Sequence, residues 1–184
     1  VSRYTYINEN SLKSPLGSNG LLFLPYLQGE RAPHWDAHAK GAFVGLTMKH
    51  TADDMKRAVF EGVAMNMGLI YNILKENISD KMPKKIIVTG GGANSPVVQQ
   101  TLADLFEAQI LLTDVSDIVG SLGAAVAAGY GVGIYKDMQQ ARKIMKITKT
   151  IDPIPENTAR FREILPVFSE AYIALKGIFP KLTF

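Results

Sequence analysis

Short apolar runs alternate along the chain with longer stretches in which apolar residues recur at helical spacing. The short runs are rich in β-branched residues or bounded by glycine or proline, which is typical of strands in a protein core. They cover residues 21–24, 41–46, 86–89 and 110–113. Apolar residues recur every three or four positions from about residue 51 to 74 and from about 158 to 176, which predicts two amphipathic helices.

Smaller features of the pattern predict the remaining segments. Thr51 and Asp54 resemble a capping box at the start of the first long helix. Residues 96–106 begin with proline and carry apolar residues on one side, which predicts a third helix. Residues 120–131 are almost all small, so a helix there is expected to lie close against a sheet or another helix. Residues 1–20 are polar and end in turn-forming residues, so they are predicted to be a turn-rich lead-in.

The strand predicted at residues 86–89 runs directly into three glycines, Gly90 to Gly92. Ser95 and Pro96 then have the residue types of an N-cap and a first helical position. A helix N-terminus offers unpaired N–H groups, and glycines let a phosphate or a flat base approach the backbone. The turn therefore favours nucleotide binding, with a tight turn that binds no ligand as the alternative.

The turn departs from the two common phosphate-binding motifs. Gly90, Gly92 and the later Asp114 resemble part of a dinucleotide-binding fingerprint, but Ser95 takes the place of the third glycine. No Lys-Ser or Lys-Thr pair closes the turn, so the P-loop pattern fails. What remains is a site that holds the adenosine end of a nucleotide through the backbone and a helix N-terminus.

Composition narrows the class of protein. The 184 residues, 47% hydrophobic and 20% charged, suit one globular domain. The chain has no cysteine, which excludes disulfides and a thiol nucleophile and is compatible with the cytoplasm, our expected location. A net charge of +3 gives no reason to expect nucleic acid, and no apolar run is long enough for a membrane helix. The chain begins with Val1 instead of methionine, so we expect a piece of a longer protein.

One loop concentrates chemistry outside the glycine turn. Residues 29–36 bring several charges, a proline and the only tryptophan together, which is typical of recognition loops. His34, Asp36 and His38 lack a convergent further ligand, so we interpret the histidines as surface residues and predict no metal site in this chain.

Several of these stretches together resemble one protein family. They are the run 41–46 followed after seven residues by Asp54-Met55, Ala58-Val59-Phe60 and Glu61, the loop from Pro25 to Asp36, the glycine turn and the small-residue segment. The chain resembles the C-terminal domain of the FGGY carbohydrate kinases and is most similar to their xylulokinase and gluconokinase branches. The resemblance runs from about residue 17 to the C-terminus.

The resemblance implies an α/β fold of the actin-like, ribonuclease-H-like type. Residues 1–184 would form a single nucleotide-binding domain, the C-terminal half of a two-domain sugar kinase. The N-terminal sugar-binding domain and the hairpin that starts this domain would be absent. The implied reaction transfers the γ-phosphoryl group of Mg-ATP to a sugar hydroxyl, with a xylulose-like pentulose favoured over gluconate or another sugar. The catalytic aspartate would lie outside this chain, so no catalytic residue is assigned and the chain by itself is expected to be inactive.

The resemblance also implies site residues. Those for the nucleotide are Gly90, Gly91, Gly92, Asn94 and Ser95. Glu30 and Arg31 would lie in a loop near the interdomain cleft, or else form a structural ion pair. The cofactors would be ATP and Mg²⁺, the metal being held mainly by the nucleotide and the absent domain. The expected partners are ATP and a small sugar, without nucleic acid or membrane, and a homodimer is left open. The alternatives are a Rossmann-type dinucleotide-binding fragment and a domain that serves only in protein interactions.

Overall fold

The fold was taken from a computed structural model that describes residues 2–78, 82–139 and 143–182. The helices are α1 (Arg3–Ser11), α2 (Ala52–Ile78), α3 (Pro96–Phe106), α4 (Val119–Gly131) and α5 (Pro155–Lys176). The strands are β1 (Leu22–Leu24), β2 (Ala42–Val44), β3 (Lys85–Ile87), β4 (Gln109–Thr113) and β5 (Ile147–Ile151). Strands and helices alternate along much of the chain, as the apolar pattern predicted.

The main sheet has the strand order β3-β4-β5. β3 and β4 are parallel and are joined through α3, with Ile86 opposite Ile110. β5 runs antiparallel to β4. The apolar pattern did not predict β5, because only Ile151 of its residues is buried and the strand shows little alternation.

A two-stranded ribbon packs on the long helix α2. β1 and β2 pair antiparallel, with Phe23 opposite Phe43. An added Cβ at Gly62 of α2 would overlap the carbonyl oxygen of Phe23, so this glycine sets how closely helix and ribbon approach. The predicted capping box forms at the start of α2, where Asp54 accepts from the Thr51 N–H at 2.7 Å and donates its own N–H to Thr51 Oγ1 at 3.3 Å.

The core lies around α3, which packs against α2 and α5. Its fully buried side chains include Leu102, Ile110, Phe161 and Phe168. Buried Asp104 accepts hydrogen bonds from the N–H of Ile154 at 2.8 Å and from Asn157 Nδ2 at 3.0 Å. A polar side chain of α3 therefore fixes the start of α5.

Two carboxylates of α2 hold the loop that precedes β1. Asp54 accepts from Ser14 Oγ at 2.6 Å and from Asn19 Nδ2 at 2.9 Å. Glu61 accepts from the N–H of Gly17 at 3.1 Å and pairs with Arg57 at 2.7 Å. Hydrogen bonds led by that of Ser14 lower the pKa of Asp54 to about 2, whereas burial raises the pKa of Glu61.

The N-terminal segment departs from the prediction of a turn-rich lead-in, because residues 3–11 form α1. Ser2 caps this helix by accepting from the N–H of Thr5, and Asn8 and Asn10 donate to carbonyls one turn earlier. α1 has no apolar stripe, so periodicity gave no signal for it.

The small-residue helix forms where it was predicted, but the expected close packing occurs only near its C-terminal end. There Val126 and Gly129 are buried, and the ring of Tyr135 lies against Gly129. The remaining residues of α4 are at least partly exposed where the structure describes them. Within the described residues, no helix has the length and apolar character needed to span a membrane.

Candidate functional site

The glycine turn, residues 90–95, links the end of the β3 segment to α3. The backbone continues from Ile87 to Val88, whose N–H still bonds to the carbonyl of Leu111 at 3.1 Å. Thr89 and Gly90 follow, and Gly91–Asn94 form a single 3₁₀ turn. Ser95 caps α3 and Pro96 occupies its first turn. The predicted turn and capped helix are confirmed, and the strand predicted at residues 86–89 forms as Lys85–Ile87.

The three glycines of the turn differ in backbone conformation. Gly90 has a φ of +93°, a conformation that side chains disfavour. Gly91 and Gly92 have no positive φ, and an added Cβ at either would meet nothing within 4 Å. The fold does not need glycine at these two positions. Their bare backbone faces open space, which is what the approach of a ligand requires.

The two polar residues of the turn differ in exposure. Ser95 is 3% exposed, and its Oγ accepts from the N–H of Val98 at 3.5 Å. Its hydroxyl is therefore engaged in capping α3. Asn94 is exposed and lines a recess beside the turn.

That recess lies between α1 and the start of α3 and has a volume of about 330 Å³. Its lining residues are Tyr4, Thr5, Asn8, Glu9, Leu12, Asn94 and Pro96. The buried Oδ1 of Asn8 has no hydrogen-bond donor among the described residues. The recess thus combines an aromatic ring, two asparagine side chains and a helix start, although the sequence gave no reason to place α1 here.

The turn lies at the carboxyl ends of β3 and β4, where ligands of open α/β sheets bind. The N–H of Gly90 donates to Oγ of Ser116, just after β4, at 3.2 Å. Asp114, the acid of the dinucleotide-binding hypothesis, accepts from the N–H of Lys146 at 2.9 Å. Asp114 is thus used to hold the backbone before β5.

The loop with Glu30 and Arg31 makes contacts within itself and with α2. Glu30 Oε1 accepts from the N–H of Arg31 at 2.7 Å and of Ala32 at 3.0 Å, and Oε2 accepts from Asn66 Nδ2 at 3.0 Å. Glu30 therefore closes the loop on itself and fastens it to α2. The proposed ion pair between Glu30 and Arg31 is not formed, and the Arg31 side chain is exposed.

An aromatic cluster supports the same loop from α5. The rings of His34 and Tyr172 are stacked with centroids 3.7 Å apart, and Tyr172 Oη donates to Asp36 Oδ2 at 2.8 Å. His34 Nε2 lies 3.1 Å from Tyr26 Oη. Burial lowers the pKa of His34, so its imidazole is neutral at pH 7. His34 is thus partly buried in a stack, which corrects its interpretation as a surface histidine.

The bond from Tyr172 changes the acidity of both partners. It lowers the pKa of Asp36 below its ordinary value, and burial together with this bond raises the pKa of Tyr172 to about 12. His38 contributes only its backbone N–H, which Asp36 Oδ1 accepts at 2.9 Å. Within the described ranges, no group of three metal-ligating side chains is placed to hold a cation.

Comparison with known proteins identifies the family. Residues 5–132 match the profile of the FGGY family of carbohydrate kinases, C-terminal domain. The chain belongs to this family. Both the glycine turn and the loop with Glu30 and Arg31 lie inside the matched range.

Individual FGGY proteins resemble the chain over most of its length. It is 34% identical to the xylulose kinase of Lactococcus lactis over 158 residues, 85% of this chain and 31% of that protein. It is 36% identical to the gluconokinase of Bacillus subtilis over 168 residues, 91% of this chain and 32% of that protein. The chain therefore spans about a third of the length of these relatives.

Solved structures confirm the actin-like fold of the FGGY kinases. A ligand-bound xylulose kinase from Lactobacillus acidophilus superposes with a TM-score of 0.83 at 34% identity, over 96% of this chain and 36% of that one. A gluconate kinase from Lactobacillus acidophilus gives 0.84 at 34% identity, over 96% and 35%. The α/β class and the resemblance seen in the sequence are both confirmed. The extent of the single domain and the roles of the site residues stay predictions.

Proposed function

We propose that this FGGY-family chain is the adenosine-binding part of an ATP-dependent carbohydrate kinase. The observation that carries the proposal is the open space beside Gly91 and Gly92, where the fold would accept a side chain and the sequence has none. This bare backbone adjoins the recess lined by Asn94 and by α1. The family membership supports the same assignment.

The residues of the turn fit a nucleotide in complementary ways. The backbone of Gly91 and Gly92 would lie beside the ribose and phosphates, and the N-terminus of α3 would favour their negative charge. The recess would take the base, with Asn94 and Asn8 as polar groups at its wall. Mg-ATP, when bound, would supply the phosphoryl group, and its metal ion would neutralise much of the phosphate charge. Phosphoryl transfer depends mainly on alignment, so this chain would contribute by fixing one end of the donor.

The sugar acceptor is the finer part of the proposal. We favour a xylulose-like pentulose, because relatives named xylulose kinase recur among the similar proteins. Relatives named gluconokinase are equally similar, so gluconate is the alternative. The catalytic base and most of the sugar pocket would come from residues outside this chain. A cytoplasmic location, where ATP is made, belongs to the same proposal.

Titrations with ATP and NAD, each followed by calorimetry, test the nucleotide assignment. We expect saturable binding of ATP and weaker binding of NAD, because Asp114, the candidate ribose ligand, already accepts from the backbone N–H of Lys146. Tighter binding of NAD would replace the kinase hypothesis with the dinucleotide-binding one. Absence of any adenine-nucleotide binding would favour a domain that serves only in protein interactions.

A further inference from the structure

We propose that residues 28–37, which we name the tryptophan loop, bind a sugar that carries a phosphate or carboxylate group. Trp35 would pack on the sugar ring and Arg31 would bind the anionic group. This site shares no lining residue with the glycine turn and its recess. Only the choice of a sugar phosphate as the probe rests on the proposed kinase function.

The first observation is the conformation of Trp35. Its φ is +45°, a left-handed conformation that is unfavourable for a bulky side chain. Its side chain is nevertheless 80% exposed, so no burial of the indole compensates for the strain. Strained residues of this kind cluster at functional sites, where the surrounding structure holds them in place.

The second observation is how firmly the loop is held. Glu30 and Asp36 exchange backbone hydrogen bonds of 2.8 and 2.7 Å, and the N–H of Trp35 donates to the carbonyl of Arg31 at 3.0 Å. The carboxylate of Glu30 is fastened to Asn66 and that of Asp36 to Tyr172. The indole and the guanidinium therefore project from a preorganised support, which reduces the entropy lost on binding.

The third observation is the open cavity that the loop borders. It has a volume of about 570 Å³ and is lined by Gln28, Gly29, Glu30, Arg31, Trp35 and Ala37. Gly29 has a φ of +76°, and an added Cβ would lie 2.9 Å from the carbonyl oxygen of Ala37, so glycine keeps this wall closely packed. The volume is in the range of sites for small molecules.

Arg31 is the group at the cavity that can bind an anion, beside the hydrogen-bonded carboxylate of Glu30. Arg31 is exposed and forms no ion pair with a carboxylate of the described residues. Both oxygens of Glu30 already accept hydrogen bonds, from the N–H groups of Arg31 and Ala32 and from Asn66. The guanidinium thus keeps its donors for a ligand.

These groups define the class of ligand. A guanidinium binds phosphate or carboxylate through paired hydrogen bonds. An indole offers a broad apolar face with one polar edge, which suits the C–H face of a sugar ring. Gln28 adds an amide that can donate to and accept from hydroxyl groups. A sugar phosphate combines all three complements.

Fluorescence of this chain gives a direct test, because Trp35 is its only tryptophan. The emission would be followed during titration with D-xylulose 5-phosphate, D-xylulose or inorganic phosphate. We expect a saturable change with the sugar phosphate and at least about tenfold weaker binding of either part alone, since each makes only half of the contacts.

The variant Arg31→Gln should weaken binding of D-xylulose 5-phosphate at least about tenfold, through loss of the charged hydrogen bonds. Arg160→Gln is the matched control, because it removes the same charge from an exposed arginine of α5 that pairs with Glu163. Trp35→Phe, measured by calorimetry, should also bind more weakly. Circular dichroism confirms that each variant is folded.

Several outcomes would overturn the proposal. They are no saturable response below about 10 mM, equal affinities of Arg31→Gln and Arg160→Gln, or inorganic phosphate binding as tightly as the sugar phosphate. A Trp35-dependent association of the chain with itself, without ligand binding, would show an interface between copies instead. Binding of the sugar phosphate by a chain that fails to bind ATP would retain this site and overturn the proposed nucleotide site.

Discussion

The glycine turn and the tryptophan loop are two candidate binding regions built in opposite ways. In the glycine turn, side chains are absent at Gly91 and Gly92, and the backbone itself is exposed to a ligand. In the tryptophan loop, large side chains project from a backbone that is held by part-buried hydrogen bonds to α2 and α5. The glycine turn depends on open space beside its backbone, and the tryptophan loop depends on the contacts that hold its backbone. Filling the open space of the glycine turn should therefore affect binding, whereas removing the contacts that support the tryptophan loop should affect stability.

The largest expected effect is on the support of the tryptophan loop. Tyr172 is 2% exposed, stacks on His34 and bonds to Asp36, so Tyr172→Ala should lower the free energy of unfolding by about 3–5 kcal/mol. Urea unfolding followed by circular dichroism measures this loss.

Tyr172→Phe is the milder control, because it removes only the hydroxyl and should cost about 1 kcal/mol. The fluorescence anisotropy of Trp35 should fall in this variant if Tyr172 orders the loop. An unchanged anisotropy would show that the loop does not depend on α5.

In the glycine turn, a substitution should change ligand affinity more than stability. Gly91→Val places a side chain in the open space beside the backbone, so we expect ATP affinity to fall at least about tenfold while the melting temperature changes little. Calorimetry and thermal melts of the same sample measure both.

Gly177→Val provides the matched control, because Gly177 has a φ of −73° and equally open space but lies at the C-terminal end of α5, outside the glycine turn. Unchanged affinity in folded Gly91→Val would support a turn that binds no ligand. Collapse of the fold would instead mean that the backbone conformation at Gly91 requires glycine.

We expect an effect of intermediate size, self-association, from β3, the strand that leads into the glycine turn. β3 pairs only with β4 among the described strands, and Ile87 is 47% exposed. A groove of about 390 Å³ lies nearby and is lined by Met67, Ile70, Tyr71, Leu74, Ile78, Met82, Pro83, Ile86 and Phe106. A free strand edge beside apolar surface promotes association, so light scattering should show a mass that rises with concentration.

Ile87→Lys should reduce this association, since a charge on an edge strand opposes pairing. Lys85→Arg, on the same strand, keeps the charge and should leave the association unchanged. A monodisperse monomer at all concentrations would show that the edge of β3 is not available for pairing.

The smallest expected effect is a dependence on pH that separates the two regions. Residues 89–96 contain no ionisable side chain, whereas the tryptophan loop depends on His34 and Asp36. Burial lowers the pKa of His34 below 6.5, so the unfolded chain takes up this proton first and the loop loses stability as the pH falls below 6.5. The bond from Tyr172 lowers the pKa of Asp36 below 3.8, so its stabilisation is complete above that pH and is lost below it.

Trp35 emission between pH 7 and pH 3 should therefore change in two steps. The difference in melting temperature between Gly91→Val and the unchanged chain should be the same at each pH. His34→Phe keeps an aromatic ring in the stack and should remove the step below pH 6.5. A single step in both proteins would mean that His34 does not titrate with the loop.

Features that depend on neighbouring residues were predicted well. β3, the glycine turn and the Ser95 cap of α3 follow from local rules about β-branched residues, glycine and capping hydroxyls. The capping box of α2 was also predicted, because its two partners are three residues apart. The family resemblance rested on the same local motifs and is confirmed.

Features that depend on distant contacts could not be predicted. β5 is a strand because β4 offers it an edge, and α1 lines the recess although its own residues have no apolar stripe. The run of small residues at 120–131 predicted a helix but could not say how little of it would be covered.

The amino-acid sequence by itself determined the local conformations and the family, because backbone preferences and capping act over a few residues. Tertiary structure alone decided which distant residues those local conformations bring into contact. The Asp36–Tyr172 bond joins residues 136 positions apart, and the contact between Glu30 and Asn66 spans 36. Such contacts depend on how α2 and α5 pack around the core, and no local pattern records that packing.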